Sequence, residues 1–537
     1  MTNTITADTN DFGQNLTSGL SKGVRYTLLI VFSVILLLGI LNGYRMCAYG
    51  MNFSDEPYHI LNAMDYKNAP LTVLNALIGH AFGNIFGWNY ISFKYFAWTL
   101  DLLSIFIAGG FLFYKTRTTV LSLGVTACLV AFESVSRLIF NLYGWDPMVA
   151  LVLTIILCLT LQYHDRPSKM LLVVISILAA LAVMVKVTNI ALLPIISVFL
   201  IWKHRSLRQA IIFSAIMIVA WAVGIFMIYH SFSQFFYYLH ANMNNGHGSL
   251  IGVLVQHFYY AFYVLPYIAY FLIMYYIVGR YYSSRVSVNV LGALALIVCN
   301  YFTLHTHFII YGNSYCSLIS ALGISVVLVA VRYNVMTGLL ILAIGVTAHF
   351  GSNQSFSKFL FAPAILVSLI YILTQKNIKS VLLICFILLI NMCIFRYERL
   401  HEGTFPDYGI QYLTETTRGI DKLDGNYTTT EKAKQINQAY QIANGKRTFV
   451  VGDTINKYIY EYMFENINPY NRQAYGNSGY YQKQQYVDSV SSHIARAPHG
   501  MQYLYLSNDT TTLMYGMLHE KMPLQRRSDD FILFVKE

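Results

Sequence analysis

Asp55 and Glu56 stand side by side in MNFSDEPYHI (51–60), just past a long apolar run. Three further segments carry charge where charge is costly: Glu133 and Arg137 in AFESVSRLIFN, Asp146 in NLYGWDPMVA, and Lys186 in VMVKVTNIALLP. Glu133 and Arg137 are four apart, hence on one face of a helix. Ionisable groups within or beside apolar spans usually face a cavity or a partner. Carboxylates gathered with cations suit one chemistry well: a carboxylate takes the proton of an acceptor hydroxyl as it attacks a sugar's anomeric carbon, while Arg and Lys hold the departing phosphate. Scarce water strengthens both effects. Each group also has a plainer alternative. Ser-Asp-Glu-Pro is an ordinary helix start, with Ser54 or Asp55 as cap and acids favoured by the helix dipole. Glu133 with Arg137 can be a structural ion pair, and Lys186 a snorkelling anchor at a span end.

The elements that must position these groups are membrane spans. Of 537 residues, 56% are hydrophobic and 11% charged, and the mean hydropathy is +0.50, far outside the range of soluble domains. At about 17 to 25 apolar residues per span, the chain divides into about thirteen, near 25–47, 92–114, 119–140, 146–163, 170–187, 189–202, 209–230, 255–278, 287–308, 316–331, 336–350, 359–375 and 380–396. Residues 1–24 read as a disordered cytoplasmic tail, and the first run is too long for a signal-peptide core. With that tail inside, fourteen Lys and Arg before residue 396 fall in inner loops and six on the outer side, as the positive-inside rule requires. The excess of basic residues then reflects orientation and lipid headgroups, and no nucleic-acid partner is implied. Asp55, Glu56, Glu133, Arg137, Asp146 and Lys186 all come out at the outer leaflet. Six of the seven cysteines lie in apolar runs without CxxC spacing, reading as small core residues.

The first outer loop, 48–91, is long and partly apolar, and Leu71, Leu74, Leu77 and Ile78 form a helical stripe suited to the headgroup plane. An odd number of spans places 397–537 outside as well. There RTFVVGD (447–453), MQYLYLS (501–507) and FILFVKE (531–537) read as strands, and TINKYIYEYMFE and TTLMYGMLHE as helices, a small α/β domain. Between them NPYNRQAYGNSGYYQKQQY is a polar aromatic loop. Two outer loops, HANMNNGHGSLIG and HFGSNQSFSKF, contribute His247 and Lys358 as candidates for the acceptor side. Nucleotide-binding glycine motifs and internal repeats are absent, so a self-contained ATP-driven machine is not expected.

Three of these segments together resemble a known family, the polyprenyl-phosphate-sugar-dependent glycosyltransferases of the type C fold, particularly the bacterial branch with aminoarabinose transferases and relatives of protein O-mannosyltransferases. The family's early Asp-Glu pair, followed by an aromatic residue, is matched by SDEPYHILNA with Tyr58; its Asp at the start of the fourth span by NLYGWDPMVALVLT; its L-T-K-G-P-x-x-x-L-L-P-like stretch by MVKVTNIALLP. The resemblance implies Asp55 as general base, Lys186 as a donor-phosphate contact, and Glu56 and Asp146 as pocket residues. It departs at Val187 and Thr188, where the family has Gly and Pro, and at Ala69-Pro70, which stands for a proline pair. The Trp-Trp-Asp-Tyr-Gly signature of the oligosaccharyltransferase catalytic subunit is absent, which argues against en bloc transfer to asparagine.

The reading is an α-helical polytopic membrane protein with a small extracytoplasmic α/β domain, a transferase moving a sugar from a polyprenyl-phosphate donor to a hydroxyl of a glycan, lipid or protein. Catalysis is expected to invert the anomeric centre at the outer face of the inner membrane. No cofactor is called for, although Asp55, Glu56 and Asp146 could converge on a divalent cation. A transporter or flippase for a lipid-linked glycan is the alternative, and it would show polar residues along a full transmembrane path.

Overall fold

The computed structural model describes residues 21–53, 55–69, 73–136, 143–244, 335–347, 410–417, 419–452, 457–469 and 484–537. Arg137, His247 and Lys358 lie outside them.

The apolar runs become helices: α1 (Lys22–Met46), α4 (Tyr90–Thr116), α5 (Thr119–Ser136), α6 (Trp145–Asp165), α7 (Lys169–Val185), α8 (Leu192–His204) and α9 (Leu207–Tyr229). The segment between α1 and α4 supplies two shorter ones, α2 (Asp55–Met64) and α3 (Val73–Phe86), while α10 (Phe232–Asn244) and α11 (Val335–Thr347) complete the described helical part. Among the described residues five helical stretches, α8 being counted with the 3-10 turn before it, are long and apolar enough to cross a membrane. This is a polytopic α-helical membrane fold. Its outer shell is apolar: Ile211, Val219, Val223 and Met227 of α9 are all more than half exposed, as a lipid-facing surface requires.

Where water offers no drive for helix association, small residues let backbones approach. Gly39 of α1 lies against the Ala131 backbone, a Cβ built there meeting it at 3.0 Å. Asn42, one turn along, donates to Ser134 O and Oγ of α5, both at 3.2 Å. Gly43 meets the indole of Trp98 on α4, and a Cβ there would lie 2.2 Å from two ring carbons. Gly43→Ala is therefore expected to lower the thermal midpoint in detergent, at a cost of about 1–3 kcal/mol for overpacking; an unshifted midpoint would contradict this contact.

α4 and α6 run parallel, with Ser104 Oγ 2.8 Å from Thr154 Oγ1 midway and Lys115 paired with Asp165 at one end. At the other end Phe93 packs on Tyr143, ring centroids 4.7 Å apart. α7 returns antiparallel, so Lys186 at its C-terminus arrives at this second end, beside α2.

In the C-terminal part, a small antiparallel pair, β1 (Glu415–Thr416) with β2 (Tyr427–Thr428), precedes helix α12 (Thr430–Ile442). A four-stranded sheet follows, from β3 (Thr448–Val451), β4 (Gln502–Tyr505), β5 (Leu524–Arg527) and β6 (Ile532–Val535), in the order β3-β4-β6-β5. β3 and β4 are parallel, the other pairs antiparallel. Helices α13 (Lys457–Phe464), α14 (Gln484–Arg496) and α15 (Leu513–Lys521) pack on it. In β3, β4 and β6 successive side chains point to opposite faces of the sheet, and both faces are buried there. Phe449, Val451, Tyr503, Tyr505, Ile532 and Phe534 join α14 and α15 in one core. Val450, Leu504 and Leu533 face the other way, into a core shared with Ile60, Leu61 and Tyr143. Helix α13 packs on both β3 and α2 and so joins the sheet's second face to α2.

That shared core explains how a ten-residue helix outside the spans can be almost wholly buried. Backbone bonds fasten it: Tyr427 N donates to Ala48 O at 2.7 Å, Gly50 N to Tyr427 O at 2.9 Å, and Ile459 N to Phe53 O at 3.2 Å. Side chains add Lys432 Nζ to Met51 O (3.1 Å) and Tyr462 Oη to Trp88 O (2.6 Å).

The Leu stripe expected on α3 is only half-buried at Leu74, Leu77 and Ile78, and Leu71 lies outside the described residues. The face α3 buries deeply is instead the small one, with Ala76, Gly79 and Gly83. A Cβ at Gly79 would fall 1.8 Å from Tyr143 Oη, and one at Gly83 would fall 2.8 Å from the Trp88 indole. Large aromatics from the neighbouring segments fill the space those glycines leave.

Candidate active site

Helix α2 begins at the acidic pair, and Asn52 caps it, its Oδ1 accepting from Asp55 N at 2.8 Å. The sequence assigns that role to Ser54 or Asp55; Ser54 lies outside the described residues. Asp55 is half-buried, whereas Glu56 is fully buried. Glu56 Oε1 accepts from Tyr143 N at 2.9 Å, and this bond ties α2 to the segment that leads into α6. Burial pushes the Glu56 carboxyl up to about 7; the Lys94 charge, the Tyr90 hydroxyl and the Tyr143 amide oppose the shift, and Asp55 adds to it. The Tyr90 O–H also donates to Asn52 O at 3.0 Å. Lys94 is buried as well. Its ammonium donates to Gly50 O and, at 3.4 Å, to Tyr49 O, and it lies 5.2 Å from the centre of the Tyr90 ring.

A raised carboxyl pKa means that the folded chain holds a proton the unfolded chain releases. Between the ordinary value of about 4.5 and the folded value of about 7, stability therefore falls as pH rises, and it levels off above that range. The span corresponds to roughly 3 kcal/mol. Glu56→Gln, which keeps an acceptor for Tyr143 N, is expected to flatten this dependence. Thermal midpoints of both forms at pH 5.5 and pH 8 measure it, and parallel curves would remove Glu56 from the account.

The next turn of α2 carries His59, buried against the start of α6. A Cβ on Gly144 would approach His59 Cδ2 to 3.0 Å, so the absence of a side chain at 144 lets the imidazole seat. Its ring meets Trp145 edge-on, centroids 4.6 Å apart at 79°. On the same indole, Lys186 Nζ lies 5.8 Å from the ring centre. Asp146, next along, occupies the first turn of α6 and is half-buried. The contacts from Glu56 through Tyr143, and from His59 through Trp145 to Lys186, thus bring Asp55, Glu56, Asp146 and Lys186 to one end of the bundle.

Lys186 reaches that place through a break in the helix. It has extended backbone, φ −149° and ψ 117°, between α7 and a 3-10 turn at Val187–Ala191. The β-branched Val185, Val187 and Thr188 disfavour continued helix, and the Ala182 carbonyl, which accepts the last helical bond from Lys186 N at 3.0 Å, also accepts from the Asn189 amide at 2.9 Å. Lys186 is 6% exposed, which does not fit a snorkelling anchor, whose head stays in water.

The remaining sequence candidates are placed less centrally. Tyr58 is 4% exposed and built into the contact with the C-terminal part, its ring 5.2 Å from that of Tyr458. Glu133 is half-buried in the last turn of α5. Among the described residues no three His, Cys, Asp or Glu side chains come together as metal ligands. The sequence reading missed His59, Trp145, Tyr143 and Lys94 as members of the site. Lys94 enters it only as one of six outer cations, and the signal available was its position one turn inside a span.

No family model matches this chain, and no curated protein matches it. Among solved structures it is similar to ArnT from Cupriavidus metallidurans. The apo crystal structure matches at 12% identity and a TM-score of 0.47, over 96% of this chain and 98% of that one. The crystal structure bound to undecaprenyl phosphate matches at 15% identity and a TM-score of 0.49, over 94% and 97%.

Proposed function

We propose that this protein is a membrane glycosyltransferase that moves a sugar from a polyprenyl-phosphate donor to an acceptor hydroxyl on the outer face of the membrane. The observation that carries the reading is the row from His59 through the Trp145 ring to the buried cation Lys186, with the half-buried carboxylate Asp55 one turn before His59 on α2, at one end of an apolar bundle. Asp55 accepts the proton of the acceptor hydroxyl. The freed oxygen forms the new bond to the anomeric carbon as the bond from that carbon to the phosphate oxygen breaks. Lys186 meets the charge of the departing polyprenyl phosphate. One displacement at one carbon inverts it. Asp146 lines the approach, and a lipid-borne donor enters sideways from the bilayer.

Purified protein in liposomes, given undecaprenyl-phosphate sugars with radiolabel in the sugar and an envelope lipid extract, tests the reading. Label is expected to leave the donor and appear in an acceptor fraction with free undecaprenyl phosphate as co-product. Movement of intact donor across the bilayer without its cleavage would favour the flippase alternative.

A further inference from the structure

Asp55, His59 and Asn62 fall at i, i+4 and i+7 of α2 and therefore on one face of that helix. Asp55 and His59 belong to the site described above; Asn62 has had no part in it. It is 1% exposed, and neither its Nδ2 nor its Oδ1 has a hydrogen-bond partner. Among the described residues it is the one carboxamide of which this is true at both ends. The neighbouring asparagines are used: Asn42 bonds Ser134, Asn52 caps α2, and Asn89 donates to Asp421 O at 2.8 Å. A buried amide left unmatched at donor and acceptor is destabilising, and apolar side chains of similar size avoid that cost. Its neighbours Leu61 and Ala63 are fully buried, so leucine-like surroundings were available to this position.

We propose that Asn62 is a specificity-determining contact to the sugar of the lipid-linked donor, its amide donating to one hydroxyl and accepting from its neighbour. The inference rests on the transferase reading above and sharpens it. A carboxamide presents one donor and one acceptor in a plane, which fits a vicinal diol. It is neutral, so the ligand class is an uncharged hydroxylated sugar rather than a uronate or an ammonium sugar. Polar groups held unpaired until a hydroxyl arrives discriminate strongly against analogues that lack it.

The test is equilibrium binding to the full-length protein in nanodiscs, with undecaprenyl phosphate and a panel of neutral undecaprenyl-phosphate hexoses and pentoses as probes. The wild type is expected to hold at least one sugar-bearing probe about tenfold or more tighter than the bare lipid, a ratio worth one or two hydrogen bonds. Asn62→Leu is expected to erase that preference, leave the affinity for bare undecaprenyl phosphate unchanged, and not lower the thermal midpoint. Asn62→Ala gives the same comparison should leucine disturb the helix packing. A variant that keeps the preference overturns the proposal while leaving the transferase reading in place. Equal loss for both probes with a lowered midpoint also overturns it, since the amide is then structural. If the wild type holds neither probe, the transferase reading fails and this inference with it.

Discussion

Asp55→Asn is expected to reduce sugar transfer by a factor of about 10² to 10⁴, the contribution of a positioned general base, while leaving the thermal midpoint close to that of the wild type. What fixes residue 55 is its backbone amide on Asn52 Oδ1, and α2 is held by its buried face and by the C-terminal part. Asparagine keeps size and polarity but cannot take a proton, so the loss belongs in the chemical step. Transfer assays under donor saturation, beside melting curves, separate the two effects. Near-normal transfer would remove Asp55 as base.

The second large effect is expected at Lys186. Lys186→Met keeps much of the stem that packs on Trp145 and removes the charge; transfer should fall by about 10² to 10³, as when one preorganised donor to developing negative charge is lost. Arginine should restore only part of the rate, because a planar fork does not fill the place of a compact ammonium. A residue that merely anchored a span end would tolerate both changes. Measuring kcat and kcat/KM for wild type, Lys186→Met and Lys186→Arg shows whether the charge acts on the departing phosphate or only on folding.

Much of the transmembrane architecture was legible in the sequence because apolar runs are long and their boundaries are marked by charge. Spans expected to begin near 92, 119, 146 and 170 are helices beginning at Tyr90, Thr119, Trp145 and Lys169. In the C-terminal part, β3, β4 and β6 were legible from dense apolar runs. α12 was not, since Ala433, Ile436 and Ala439 are a sparse stripe in a polar segment. α14 was not read as a helix either, although Tyr486, Val487, Val490 and Ile494 mark its buried face. β5, with all four residues exposed, has no apolar alternation to show.

The acidic pair was visible as an oddity of position, but the difference between its members was not. Tyr143, which binds Glu56, stands 87 residues away in the chain. Sequence alone made Glu56 the lesser of the two; burial makes it a tie between α2 and the approach to α6, whose proton is held near neutral pH. His59 and Trp145 were hidden for a similar reason, each unremarkable until helix packing set imidazole, indole and ammonium in a row. The C-terminal part's role was equally long-range. Only the shared core shows that α2 and the sheet are joined, through α13, into one buried unit.

The most direct measurement is an experimental structure of the full-length protein in nanodiscs with an undecaprenyl-phosphate sugar bound. The account predicts the phosphate within about 4 Å of Lys186 Nζ, the range of a direct ion pair, and the Asp55 carboxylate on the opposite side of the anomeric carbon, open to an acceptor. A phosphate bound away from Lys186, or a sugar whose anomeric carbon faces away from Asp55, would contradict it.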